Sequence, residues 1–149
     1  MSTQRSGGTA VAVALTLLIG GCGGGDSESA TLTKAQFIKE ANSICLKGEA
    51  KRGQVLNEVS QGLSGSNISP GQKEQLVLEV LTPYEGTTAQ LAELDVPDGE
   101  EKRVEAIVAA MEEAADRVKA DPNTAIVSTA PFNKANKLAR GYGLDRCDV

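Results

Sequence analysis

Ten residues, Ala10 to Ile19, limit what the rest of this chain can fold into. They are nearly all apolar, follow a single charge at Arg5 and lead into a glycine-rich stretch. A bilayer span takes about 20 apolar residues, so this run is too short to cross comfortably. A weakly basic start, a short apolar run and small residues after it make a secretory signal peptide, here residues 1–21. The remainder is the size of one small domain. Aromatic residues make up 3% of the chain and Trp is absent. Its core must therefore be aliphatic, built from Leu, Val, Ile and Ala.

The segment Ile19-Gly20-Gly21-Cys22 resembles a lipobox, the signal-peptidase site of bacterial lipoproteins. The resemblance implies cleavage between Gly21 and Cys22, with the Cys22 thiol diacylglycerated and Cys22 as the new N-terminus. Small side chains at Gly20 and Gly21 let a peptidase reach the backbone. The usual motif has Leu where Ile19 stands, and often Ala or Ser where Gly20 stands. Residues 22–31 follow as a Gly- and Ser-rich tether. Flexible chain of this kind spans about 18 Å over about ten residues, at roughly 5–6 Å × √n. One acyl chain anchors marginally and two or more anchor stably. The expected location is the outer face of the bacterial cytoplasmic membrane, or the outer membrane in a two-membrane cell.

Export also decides the reading of the other two cysteines, Cys45 and Cys147. An even pair in an oxidising compartment forms a disulfide. Closing a loop of about 100 residues is worth roughly 4–5 kcal/mol in the chain-entropy model. A zinc site would need more ligands than two thiolates, and the chain has no His.

The folded part, residues 32–149, reads as helix. Thr33-x-x-Gln36 is a capping box. Phe37, Ala41, Ile44, Cys45, Val55, Leu56, Val59 and Leu63 then recur near helical spacing, up to Ser64-Gly65-Ser66-Asn67. Ser69-Pro70-Gly71-Gln72 caps a second helix with Pro at its first position. Its stripe is Leu76, Val77, Val80, Leu81, Tyr84, Leu91 and Leu94, interrupted by Pro83, which predicts a kink or a break. Asp98-Gly99-Glu100-Glu101 puts acids at the positive end of a third helix, whose face is Val104, Ile107, Val108, Met111, Ala115 and Val118. Asp121-Pro122 stops it, and Thr124 to Ala130 is either loop or a short turn of helix. A fourth helix is expected from about Pro131 to Tyr142, burying Phe132, Ala135, Leu138 and Ala139. Gly143 is its left-handed cap, with Leu144 folding back. The expected fold class is all-α, an antiparallel four-helix bundle stapled by one disulfide.

Three motifs frame this domain: Phe37-Ile38-x-x-Ala41-Asn42-x-Ile44-Cys45, Leu94-Asp95-Val96-Pro97 and Ala135-Asn136-x-x-Ala139-x-x-Tyr142-Gly143-Leu144-x-x-Cys147. With the lipobox, they resemble a broad group of small lipoproteins and secreted proteins of high-GC Gram-positive, actinobacterial type. In that group an early Ala-Asn-x-Ile-Cys and a late Tyr-Gly-Leu-x-x-Cys frame a helical domain. The resemblance implies the disulfide and the compartment, and carries no agreed activity.

The composition removes many functions. The chain has 15 basic and 20 acidic residues, and losing Arg5 with the leader leaves 14 against 20, a net charge of −6. That balance argues against nucleic acid and anionic surfaces as partners, because both need a cationic face. Without His, Ser-His-Asp and Cys-His nucleophile systems and Glu-x-x-His di-iron bundles are excluded. No Gly-rich loop follows a strand, so nucleotide fingerprints are absent. Gly141-Tyr142-Gly143 is a cap. The pairs Glu100-Glu101 and Glu112-Glu113 read as solvated faces, since helix neighbours point about 100° apart. Asp95 to Glu100 is only a weak echo of a calcium loop. Phe37, Tyr84, Phe132 and Tyr142 read as core, with a ligand pocket as the alternative.

The expectation is a non-enzymatic module without cofactor or metal, tethered to a membrane through Cys22. Its partner would be an envelope protein or a cell-wall component. The competing expectation is a carrier or sensor of a small apolar molecule or lipid held between the helices.

Overall fold

The computed structural model describes residues 32–62 and 68–149. The leader, Cys22, the tether, Leu63 and the Ser64–Asn67 stretch lie outside the described residues. The described residues form five α-helices and no strand: α1 (Lys34–Gly62), α2 (Pro70–Ala92), α3 (Glu101–Ala120), α4 (Pro122–Val127) and α5 (Asn133–Tyr142). A 3-10 turn, Ala130–Phe132, leads into α5.

The helix starts follow the cap chemistry of the sequence. Gln36 N–H donates to Thr33 Oγ1 at 3.3 Å, and Thr33 N–H donates back to Gln36 Oε1 at 2.9 Å. The same reciprocal box joins Ser69 and Gln72 at the start of α2. Each box satisfies two of the amide donors that a helix start leaves without partners. At the end of α5, Gly143 takes φ 104°, in the left-handed region where Gly has no Cβ penalty. Leu144 N–H then reaches Ala139 O at 2.9 Å, and Gly143 N–H reaches Arg140 O at 3.1 Å. These are the two bonds of a Schellman cap, and Leu144 is buried behind it.

The sequence leaves open a break at Pro83, but α2 runs through that residue as one helix. Pro83 cannot donate to Glu79 O, and Glu79 is on the exposed side of α2, where water can serve that carbonyl. Nearby hydroxyls add bonds: Thr82 Oγ1 donates to Leu78 O at 3.2 Å and Thr87 Oγ1 to Pro83 O at 2.8 Å. The segment expected as loop or a turn of helix supplies α4, started by Pro122. The expected fourth helix begins with the 3-10 turn and continues as α5.

The core is aliphatic and small-residue-rich: Ala41, Leu91, Val104, Ile107, Ala110, Met111, Ala114, Val118 and Ala139 are all buried. Successive helices pack on one another, α1 on α2, α2 on α3 and α3 on α5, while α4 sits against α2 and α3. Cys45 and Cys147 are joined, with their Cα atoms 5.0 Å apart. The bond pins the segment after α5 to the middle of α1.

The apolar cleft and its polar end

Helix α1 presents one row of side chains inward: Phe37, Ala41, Cys45, Gly48, Arg52, Leu56 and Val59, at steps of three and four. Phe37, Ala41, Cys45 and Gly48 are buried. At Gly48 the two long helices touch, and a Cβ there would collide with the Thr87 side chain of α2. Beyond that contact the space between α1 and α2 opens into a cleft of about 310 Å³. Its walls are Arg52, Leu56 and Val59 from α1, and Leu76, Val77, Val80 and Leu81 from α2. Val118, Ala125, Phe132 and Val149 close it from the other elements.

Helix lengths explain why the cleft lies at this end. At 1.5 Å per residue, α1 is roughly 43 Å long, α2 about 35 Å and α5 only about 15 Å. Helix α5 and the C-terminal segment therefore cover one end of the long pair. At the other end the six-residue α4 and the 3-10 turn reach across, joined by Val118 of α3 and by Val149. The stripe residues there stay partly open, with Leu56 46% exposed.

The cleft is mostly apolar; its polar lining is Ser128 and Thr129, between α4 and the 3-10 turn, and Arg52 and Tyr84 at its inner end. Tyr84 packs its ring edge-on against Phe132, with centroids 5.1 Å apart. The residue is 6% exposed, and its hydroxyl finds no hydrogen-bond partner among the described residues. Burial pushes the Tyr84 phenol well above its ordinary range, and the nearby Arg52 charge only partly opposes this. Arg52 is half-buried, and no ion pair joins it to an acid among the described residues. Beyond Tyr84 lies a small void of about 20 Å³, beside the disulfide and Thr87, Met111 and Asp148. It has room for about one water.

The C-terminal segment that forms this inner end is held by two asparagines. Asn42 Nδ2 donates to Gly143 O at 3.0 Å, and Arg146 N–H donates to Asn42 Oδ1 at 2.9 Å. Asn136 Nδ2 donates to Val149 O at 3.0 Å, and Val149 N–H donates to Asn136 Oδ1 at 3.2 Å. Each Asn uses its amide as a strand neighbour would, pairing one donor and one acceptor with the chain. Both belong to the Ala-Asn pairs of the sequence motifs, so those motifs are holders of the C-terminal segment.

The other sequence candidates are scattered. Glu100 meets Lys34 at 3.1 Å and Arg103 at 3.7 Å. Exposed Glu101 accepts from Gly99 N–H, and main-chain bonds hold its carboxyl below the usual range. Glu113 bridges Lys134 and Arg117, which keep its carboxyl low, while Glu112 is exposed. Neither acid pair forms a shared carboxylate site. No cluster of three or more Cys, Asp or Glu able to hold a metal occurs among the described residues. The aromatic four divide into two pairs. Phe37 and Tyr142 stack edge-on at 5.9 Å in the covered end, with Lys34 Nζ 4.6 Å from the Tyr142 ring centre. Tyr84 and Phe132 line the cleft. Lipidation at Cys22 and cleavage after Gly21 lie outside the described residues. Among the described residues no helix is long and apolar enough to cross a membrane.

Comparison with protein-family models, with curated proteins and with solved structures finds no match.

Proposed function

We propose that this chain is a lipid-anchored, non-catalytic binding module of the bacterial cell envelope, and that its cleft takes a small apolar ligand. In this reading α1, α2, α3 and α5 form an antiparallel bundle, Cys22 carries the lipid and residues 22–31 tether the domain. The lipobox resemblance and the actinobacterial motifs support the anchor and the compartment. The observation that carries the ligand is the cleft itself. Its volume is at the small end of ligand sites, its walls are mostly aliphatic, and its one charged side chain, Arg52, stands beside Tyr84 at one end.

The module whose partner is another envelope protein is the second reading. Leu56, Leu78 and Ile126 favour it, being 46%, 40% and 47% exposed on the elements around the cleft. Native mass spectrometry on the protein extracted gently from its own membranes separates the two. A non-covalent mass of a few hundred daltons supports the carrier. A protein-sized addition, with the cleft empty, supports the interaction module and overturns the carrier.

A further inference from the structure

Arg52 and Tyr84 stand together at the inner end of a mostly apolar cleft, whose other polar lining residues are the neutral Ser128 and Thr129. Arg52 is the only charged side chain among the residues lining it. It has no acid partner among the described residues. The Tyr84 hydroxyl is buried with no partner of its own. A guanidinium offers donors only, and a phenol can donate its proton. A buried donor without an acceptor is costly, so such groups are normally satisfied by a protein group, an ordered water or a bound ligand. Two acids stand near this corner. Glu49 and Asp148 border the adjoining void and do not line the cleft; Asp148 Oδ2 is engaged with Arg140 at 3.2 Å, while Asp148 Oδ1 is buried with no partner among the described residues. Arg146 borders the same void and adds positive charge to that side. Val149 lines both spaces, and its N–H and one main-chain oxygen are paired with Asn136.

The size of the space bounds the apolar part. On the measure by which the small void of about 20 Å³ has room for about one water, the cleft of about 310 Å³ has room for about fifteen water-sized units. That matches one medium-length hydrocarbon chain and is too little for a two-chain lipid.

From this we infer that the ligand is a single-chain anionic amphiphile: one hydrocarbon chain lies between Leu56, Val59, Val77 and Val80, and its carboxylate or phosphate meets Arg52 and the Tyr84 hydroxyl. The inference rests on the carrier reading above and adds the head group. The chain end points toward the open end of the helix pair and the head toward the disulfide. A carboxylate is the acceptor that a guanidinium binds through two parallel N–H donors, so an Arg here is more selective than a Lys.

The test is titration of the full-length protein with three ten-carbon probes: decanoate, decyl phosphate and decanol. The expected result is that an anionic probe binds at least tenfold more tightly than decanol. Decanoate as the tighter anion points to a free fatty acid, and decyl phosphate as the tighter one points to a phosphorylated lipid. Arg52→Gln should bring the anionic probe down to the affinity of decanol and leave decanol unchanged. Arg52→Lys should recover part of the loss, and Tyr84→Phe should weaken the anion severalfold. Val80→Trp, which fills the cleft, should abolish all binding. Equal binding of anion and alcohol, unchanged in Arg52→Gln and lost in Val80→Trp, overturns the head-group inference and leaves the carrier standing. No binding of any probe by the wild type overturns both.

Discussion

At one end of α1, Phe37, Ala41 and Cys45 are buried under α5 and the C-terminal segment. At the other end, Arg52, Leu56 and Val59 continue the same row and face an open cleft. Apart from Arg52 the side chains are similar in character, so the row alone does not decide burial. What differs is what lies opposite. The covered end has a close helix contact at Gly48, an edge-on aromatic pair, an asparagine clamp and a covalent staple. The cleft end has two short elements, with Val118 of α3 and Val149 beside them. A helix stripe buries itself only as far as its partners extend. The covered end is built for stability, and the residues at the cleft end keep apolar surface available for something else.

The largest effect should come from removing the staple. Cys45→Ser frees the segment after α5 and reopens a loop with a sequence separation of 102. In the chain-entropy model this costs about 4–5 kcal/mol. For a domain of this size the melting temperature should fall on the order of 15 °C. Amide exchange would sharpen the comparison. The amides of Leu144 and Cys147 should lose protection first, while those of α2 beside the cleft change little. Equal loss along the whole chain would mean that the two ends are one cooperative unit.

Two glycines in α1 test the comparison within one helix. At Gly48 an added Cβ would strike the side chain of Thr87, and Thr is stiff at χ1 in a helix. Gly48→Ala should destabilise by about 1–3 kcal/mol, as overpacking usually does. Adding Thr87→Ala should recover part of that, giving a non-additive pair by chemical denaturation. At Gly53 nothing lies within 4 Å of the added Cβ. Gly53→Ala should therefore stabilise by about 0.5–1 kcal/mol, the ordinary gain of Ala over Gly inside a helix. Destabilisation by Gly53→Ala would show that the cleft end is packed more tightly than its geometry implies.

Much of the fold was legible because it is written locally. Thr33 with Gln36, Ser69 with Gln72, and Gly143 with Leu144 each state a helix end in a few residues. The pairing of Cys45 with Cys147 followed from compartment and parity. The cleft was not legible. Leu56, Val59, Val77 and Val80 have the period of buried positions, and only the lengths of α4 and α5 leave them open. Arg52 does not stand out in the sequence, because a cation every few residues is normal on a helix. Its one signal was position, since it falls in the apolar row between Gly48 and Leu56. Pro83 misled in the other direction. It announces a break, but the carbonyl it strips lies on an exposed face, where losing the bond costs little.

The smallest effect at neutral pH concerns the two tyrosines, one at each end of the comparison. Burial raises both phenols, Tyr84 more strongly, while Glu100 adds to the rise at Tyr142 and Arg103 opposes it. A phenol raised in the folded state contributes stability that is complete below its unfolded value of about 10, and that is lost as pH climbs toward the folded value. Substituting either by Phe should therefore leave the acid and neutral sides of the stability profile with no tyrosine-linked slope, and change the slope only above about pH 10. The chain has two Tyr and no Trp, so phenolate absorbance reads them cleanly. The folded Tyr142→Phe variant, which retains Tyr84, should ionise at higher pH than the Tyr84→Phe variant. A Tyr84 phenol that titrates near its ordinary value would show the inner end of the cleft to be wet. The hydroxyl would then already be satisfied by water, and the contrast between a dry polar corner and a clamped end would fail at the residue that defines it.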